Sequence, residues 1–144
     1  MNIVCAEKQD LADIYQLEHA LFGDHAYPQF FFRQAFDCWG KGLLVAKQES
    51  KLAGYALMTT TDKPYEFWVL SLAVNLNYRG MGIGRKLMQH AIAQIPQESK
   101  LLLTVDPNNA SACALYASMG FTMIKQEENY FGDDEPRLVM QLII

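Results

Sequence analysis

Tyr78-Arg79-Gly80-Met81-Gly82-Ile83-Gly84-Arg85-Lys86-Leu87 is the stretch from which the rest of this chain can be read. It holds three alternating glycines, then two basic residues where a helix begins. Upstream, Tyr65 to Val74 is rich in aromatic and β-branched residues and reads as a long strand. Downstream, Ile83, Leu87, Ala91 and Ile95 recur every four residues, which gives a helix with one apolar stripe, ended by Pro96. A helix N-terminus is the positive end of its dipole and favours acidic side chains, so Arg85 and Lys86 are out of place there. The formal net charge is -4, yet no Asp or Glu lies between Glu66 and Glu98, while Arg79, Arg85 and Lys86 all do. A docked anion resolves both oddities. Glycine lets backbone approach an anion closely, and the first helical N–H groups point outward unpaired. The turn therefore reads as a phosphate cradle; the plainer alternative is a glycine turn with solvated basic residues.

Two common nucleotide sites do not fit. A dinucleotide fingerprint follows the first strand and carries an acid about 20 residues on; this turn follows the fourth strand and has no such acid. A Walker loop needs GxxxxGK[ST], which is absent.

The remaining elements surround that turn. Asn2 to Ala6 reads as a short strand, and Leu11, Ile14, Leu17, Leu21 and Phe22 follow helical spacing, with the polar Glu18 among them. Tyr27-Pro28 breaks that helix, and the aromatic-rich Phe30 to Trp39 forms a second. Gly42 to Gln48 and Leu52 to Thr60 are strands around a turn at Glu49-Ser50-Lys51. Leu101 to Val105 is a buried strand, and Asn108 to Met119 a helix stopped by Gly120. Phe121 to Tyr130 and Leu138 to Ile143 are the last strands, with a bend at Gly132-Asp133-Asp134. Strands first, then alternating strands and helices, predict an α+β fold: a mixed sheet with helices on its faces.

The length of 144 residues favours one domain spanning 1–144. No apolar run reaches the ~20 residues that span a bilayer, and Met1-Asn2-Ile3-Val4 lacks the layout of a signal peptide. Cys5, Cys38 and Cys113 form no CxxC pair, which points to a reducing, cytoplasmic setting, no metal site and three small buried hydrophobes. The acidic balance argues against nucleic-acid binding.

Arg79-x-x-Gly82-x-Gly84 resembles the R/Q-x-x-G-x-G/A signature of the GCN5-related N-acetyltransferase (GNAT) superfamily. Leu72-Ala73-Val74 before it and Gly84-Arg85-Lys86-Leu87 after it are similar too. A second block, Asn109 to Phe121, resembles the family's N-x-x-A-x-x-L-Y-x-x-x-G-F. More narrowly, Asn129-Tyr130-Phe131 before an acidic bend resembles bacterial enzymes that acetylate the N-terminal alanine of a ribosomal protein. The resemblance implies a mixed, mostly antiparallel sheet splayed between two strands, acetyl-CoA as co-substrate, no metal, and acetyl transfer to a primary amine. It implies that Arg79, Gly80, Met81, Gly82, Ile83, Gly84 and Arg85 cradle the pyrophosphate. It likewise implies that Leu72, Ala73 and Val74 pair with the pantetheine arm, that Asn109 contacts that arm, and that Tyr116 faces the thioester sulfur.

Acetyl transfer needs a neutral amine, a polarised carbonyl and a protonated leaving thiolate. The Val74 N–H suits the oxyanion, and the Tyr116 phenol suits the thiolate. The similar ribosomal-protein enzymes carry a glutamate four residues before the position of Asn108; here Thr104 stands there. Glu66 is the alternative base, set against its reading as a solvated strand-start residue, and Glu18, Asp24 and His25 read as solvating the acceptor loop, with binding of a substrate amine as the alternative. An α-amine of pKa about 8 is roughly a tenth neutral at pH 7, so a missing base costs it only about 1.4 kcal/mol, against nearly 5 kcal/mol for a lysine. The expected partner is an amine acceptor, a peptide N-terminus or a small amine, with an exposed edge strand offering a homodimer contact. A non-catalytic acetyl-CoA-binding module is the competing reading.

Overall fold

The structure is a computed structural model that describes residues 1–144. In chain order it contains β1 (Asn2–Cys5), α1 (Leu11–Phe22), α2 (Gln29–Cys38), β2 (Leu43–Gln48), β3 (Lys51–Thr60), β4 (Glu66–Val74), α3 (Ile83–Ala93), β5 (Lys100–Val105), α4 (Ala110–Ser118), β6 (Thr122–Glu127) and β7 (Arg137–Ile143). The strands form a seven-stranded sheet in the order β1-β2-β3-β4-β5-β7-β6. The pairs β1–β2, β2–β3, β5–β7 and β6–β7 are antiparallel, and β4–β5 is parallel. This is the mixed, mostly antiparallel sheet with helices that the sequence predicts.

Two compact units make up the chain, Met1–Thr59 with Ser71–Gln94, and Thr60–Leu70 with Ile95–Ile144. The first has its core on β2 and β3, where Leu43 to Ala46 and Ala53 to Leu57 are almost wholly buried. Ile14 of α1, Phe32 of α2 and Leu87 of α3 complete it. The apolar stripe of α3 behaves as its spacing demands: Ile83, Leu87, Ala91 and the following Ile95 are all buried. Each such Leu or Ile contributes about 1.5–3 kcal/mol. The second unit is built on β5 and β7, with Leu101, Leu103, Phe121 and Val139 inside. In that unit the parallel β4–β5 pairing runs from Glu66↔Lys100 to Val69↔Leu103, whereas β4 itself continues to Val74.

Three local expectations change. The strand expected to reach Tyr130 stops at Glu127. The Asn129 side chain accepts the Asp134 N–H at 3.1 Å, and Asp134 takes φ 59°, so the chain turns instead of extending. The β2–β3 turn is only Glu49-Ser50, both at positive φ (51° and 68°), the left-handed pair a two-residue hairpin requires. Cys5 and Cys38 are exposed, not buried, and Cys113 is half-buried. A cysteine outside a periodic pattern carries no sequence signal for which face it takes.

Candidate active site

In the first unit, the C-terminal end of β4 and the glycine turn form one connected piece. Asn75 N–H bonds Ala53 O at 2.8 Å. Backbone groups alternate sides along a strand, so the Val74 N–H and C=O point away from β3. The carbonyl is taken by Arg79 Nε at 3.2 Å. That leaves the Val74 N–H as a donor on an edge whose carbonyl is already held. The close fit beneath is set by Gly54 of β3: a Cβ there would lie 2.8 Å from Ala73 O and 3.3 Å from Ile83 and Leu87 side-chain carbons.

After a short 3-10 turn at Leu76–Tyr78, Gly80 and Gly82 adopt φ 80° and 73° with nothing near where a Cβ would sit. Gly82 is the N-cap of α3; it supplies no side-chain cap, and no acid lies in the first turn. Lys86 N–H makes the first helical bond, to Gly82 O at 3.0 Å. The donors at Ile83 and Gly84 precede it and meet no capping side chain. An open, uncapped helix start flanked by Arg79, Arg85 and Lys86 fits a pyrophosphate.

A buried carboxylate also lies in this unit, and the sequence reading placed it in solvent. Glu18 is 2% exposed. Its Oε2 accepts the Tyr27 N–H at 3.0 Å, and its Oε1 accepts the Tyr55 hydroxyl at 2.5 Å and the Ser71 hydroxyl at 3.1 Å. Tyr55 and Ser71 are themselves 2.7 Å apart. Burial first, and the Glu18 charge second, push the Tyr55 phenol far above its ordinary range. Glu18 occupies an inward position of α1, and only its distant partners show that this acid is not solvated.

In the second unit, Asn109 caps α4. Its Oδ1 accepts the Ala112 N–H at 3.1 Å and the Ser111 hydroxyl at 3.2 Å, which leaves its amide nitrogen as the group able to reach a ligand. The helix ends in a Schellman motif: Gly120 at φ 98° donates to Ala117 O, and Phe121 donates to Tyr116 O at 3.0 Å. The accompanying hydrophobic contact is between the Tyr116 and Phe121 rings, 5.7 Å apart. Tyr116 is 7% exposed and its hydroxyl bonds to no side chain or backbone group. Burial pushes that phenol up to about 12, with a smaller contribution from Cys113.

Glu66, the sequence's alternative base, begins β4 at the end opposite Val74, and Thr61 donates to its carboxylate at 3.1 Å. Thr104 is half-buried on β5, across from Val139 of β7.

The family model described as "Acetyltransferase (GNAT) family" matches residues 9–121. The chain belongs to the GNAT acetyltransferase family. Its domain is therefore an acetyl-CoA-dependent N-acetyltransferase. Among GNAT relatives, the N-alpha-acetyltransferase RimI of Mycobacterium tuberculosis is 29% identical over 91% of this chain and 84% of its own length. "Uncharacterized protein ML0378" of Mycobacterium leprae is 32% identical over 81% of this chain, which spans only 33% of that relative. The crystal structure of the ribosomal-protein-S18-alanine N-acetyltransferase from Escherichia coli has a TM-score of 0.81 and 26% identity, covering 98% of this chain and 92% of that one.

No three His, Cys, Asp or Glu side chains of this GNAT domain come together to hold a metal ion, and no helix is long and apolar enough to cross a membrane.

Proposed function

We propose that this domain moves acetyl from acetyl-CoA to a low-pKa primary amine, foremost a protein N-terminal α-amine, and that residues 1–144 act as one cytoplasmic catalytic domain. The observation that carries the reading is the end of β4. The Val74 N–H faces away from β3 while Arg79 holds the Val74 carbonyl, beside a helix start suited to a pyrophosphate. Relatives named as N-alpha-acetyltransferases support the choice of acceptor.

Each residue then has a task. The first N–H groups of α3, with Arg79, Gly80, Met81, Gly82, Ile83, Gly84 and Arg85, bind the diphosphate. Leu72, Ala73 and Val74 receive the pantetheine arm as an added strand, and the Asn109 amide steadies it. The Val74 N–H stabilises the developing oxyanion. Tyr116 hands its proton to the departing thiolate. Thr104 cannot take a proton from the amine near neutral pH. An α-amine tolerates this far better than a lysine, and this favours a protein N-terminus.

The test is thiol release from acetyl-CoA against alanine-starting peptides, lysine peptides, polyamines and aminoglycosides. Turnover led by the alanine-starting peptides is the expected result. Preference for a polyamine or aminoglycoside would replace the acceptor assignment. Silence across the panel with acetyl-CoA still bound would remove it. Glu66→Gln, run alongside, reads whether that carboxylate serves as the base.

A further inference from the structure

Glu18 is a buried anion satisfied only by neutral donors: the Tyr27 N–H and the Tyr55 and Ser71 hydroxyls. No Lys, Arg or His is among its partners. The titratable groups against it are Tyr55 from β3 and Tyr27 just ahead of α2. Burying a carboxylate without a cation costs several kcal/mol, and apolar replacements of such groups are often neutral or stabilising. Packing alone therefore gives no reason for a carboxylate here.

The three side-chain oxygens form a closed triangle with sides of 2.5, 2.7 and 3.1 Å. Glu18 and Tyr55 are buried, at 2% and 0% exposure, and Ser71 is half-buried. Ser71 directly precedes Leu72, Ala73 and Val74, the segment assigned to the donor arm. Between Val69 and Val74 it is the one polar side chain, and by the two-residue strand period it lies on the face opposite Leu72. An amine approaching that end of β4 on the Ser71 face meets one hydroxyl, and behind it a hydrogen-bonded path to a carboxylate.

We propose that Ser71 and Glu18, positioned by Tyr55, form the proton relay that deprotonates the acceptor amine, with Ser71 Oγ as the contact atom; this rests on the amine-acetylation reading above. The amine's N–H proton passes to Ser71 Oγ as the Ser71 proton passes to Glu18 Oε1 along the 3.1 Å bond between them. Tyr55 keeps its proton and holds the same carboxylate oxygen in place. The nitrogen keeps its electron pair for the thioester carbonyl, and Glu18 ends neutral. After product leaves, the proton returns to water along the same path. The relay supplies the base that Thr104 does not.

The experiment compares wild type with Ser71→Ala, Tyr55→Phe and Glu18→Gln. It measures kcat on an alanine-starting peptide near pH 7 and near pH 9, and acetyl-CoA affinity by calorimetry. Each variant is expected to lose about tenfold in kcat near pH 7, where roughly a tenth of the α-amine is neutral without help. The loss should all but vanish near pH 9, where the α-amine is mostly neutral. Acetyl-CoA affinity should not move, which shows that the first unit is intact. Ser71→Thr, which keeps the hydroxyl, should retain most of the rate even if Glu18→Gln fails to fold. Equal losses at both pH values, or none, would overturn the relay and leave the acetyltransferase reading standing. A wild type that binds acetyl-CoA and acetylates no amine would overturn both.

Discussion

Arg79 Nε donates to the Val74 carbonyl across 3.2 Å. The arginine of the family signature is thus part of the strand end as well as of the glycine turn. Arg79→Ala should weaken acetyl-CoA binding by roughly tenfold, the value of about one charged hydrogen bond. Arg79→Lys should restore little, because an ammonium lacks the planar fork that can bond a carbonyl and a phosphate together. Calorimetric titration of both variants checks this.

Tyr116→Phe should lower kcat on the order of a hundredfold if the phenol protonates the thiolate. It should not lower the melting temperature, since the hydroxyl bonds to nothing in the protein. Its pH behaviour has a definite sign. The folded phenol titrates at about 12 against an ordinary 10, so unfolded chains lose this proton first as pH rises. Stability from this group is intact below about pH 10 and falls away between there and about pH 12. Tyr55 acts in the same direction. Tyr116→Phe should therefore resist alkaline unfolding better than wild type, as measured by denaturant melts across that range.

Gly54→Ala and Gly82→Ala should fail in different ways. At Gly54 a methyl group would sit 2.8 Å from Ala73 O, and backbone must move. A loss of about 1–3 kcal/mol is expected, with weaker acetyl-CoA binding because the end of β4 shifts. At Gly82 nothing lies within 4 Å, so the cost is the left-handed φ of 73°, about 1 kcal/mol. The added methyl group stands in the phosphate cradle, so binding should suffer more than stability. Urea melts beside acetyl-CoA titrations separate the two.

An alanine-starting peptide should outrun a peptide offering only an internal lysine by about two to three orders of magnitude near pH 7, the difference in neutral amine. The gap should close as pH approaches about 10. A competition assay across that range reads it.

The parts legible in the sequence were those with local signals. The glycine turn, the α3 stripe and the Gly120 cap each lie within a dozen residues of what they control, and each is found where its pattern placed it. The Gly120 cap also fixes Tyr116, because the Schellman bond and the Phe121 ring close over the same residue. What escaped was long-range. Glu18 meets Tyr55 and Ser71 at separations of 37 and 53 residues, and no short pattern announces that. Gly54 looks like a weak point in a strand until Ala73 and α3 are seen against it. Asn129 fell inside an expected strand because a side-chain bond to Asp134 competes with extension only once the bend has formed.

The Glu49-Ser50 turn holds two ordinary residues in a left-handed conformation where Asn-Gly would sit without strain. Such residues cost on the order of 1 kcal/mol each or more. The hairpin is thus an untapped reserve. An engineer could recover that energy there and use it to tolerate riskier substitutions elsewhere, as when retargeting the enzyme to a new acceptor.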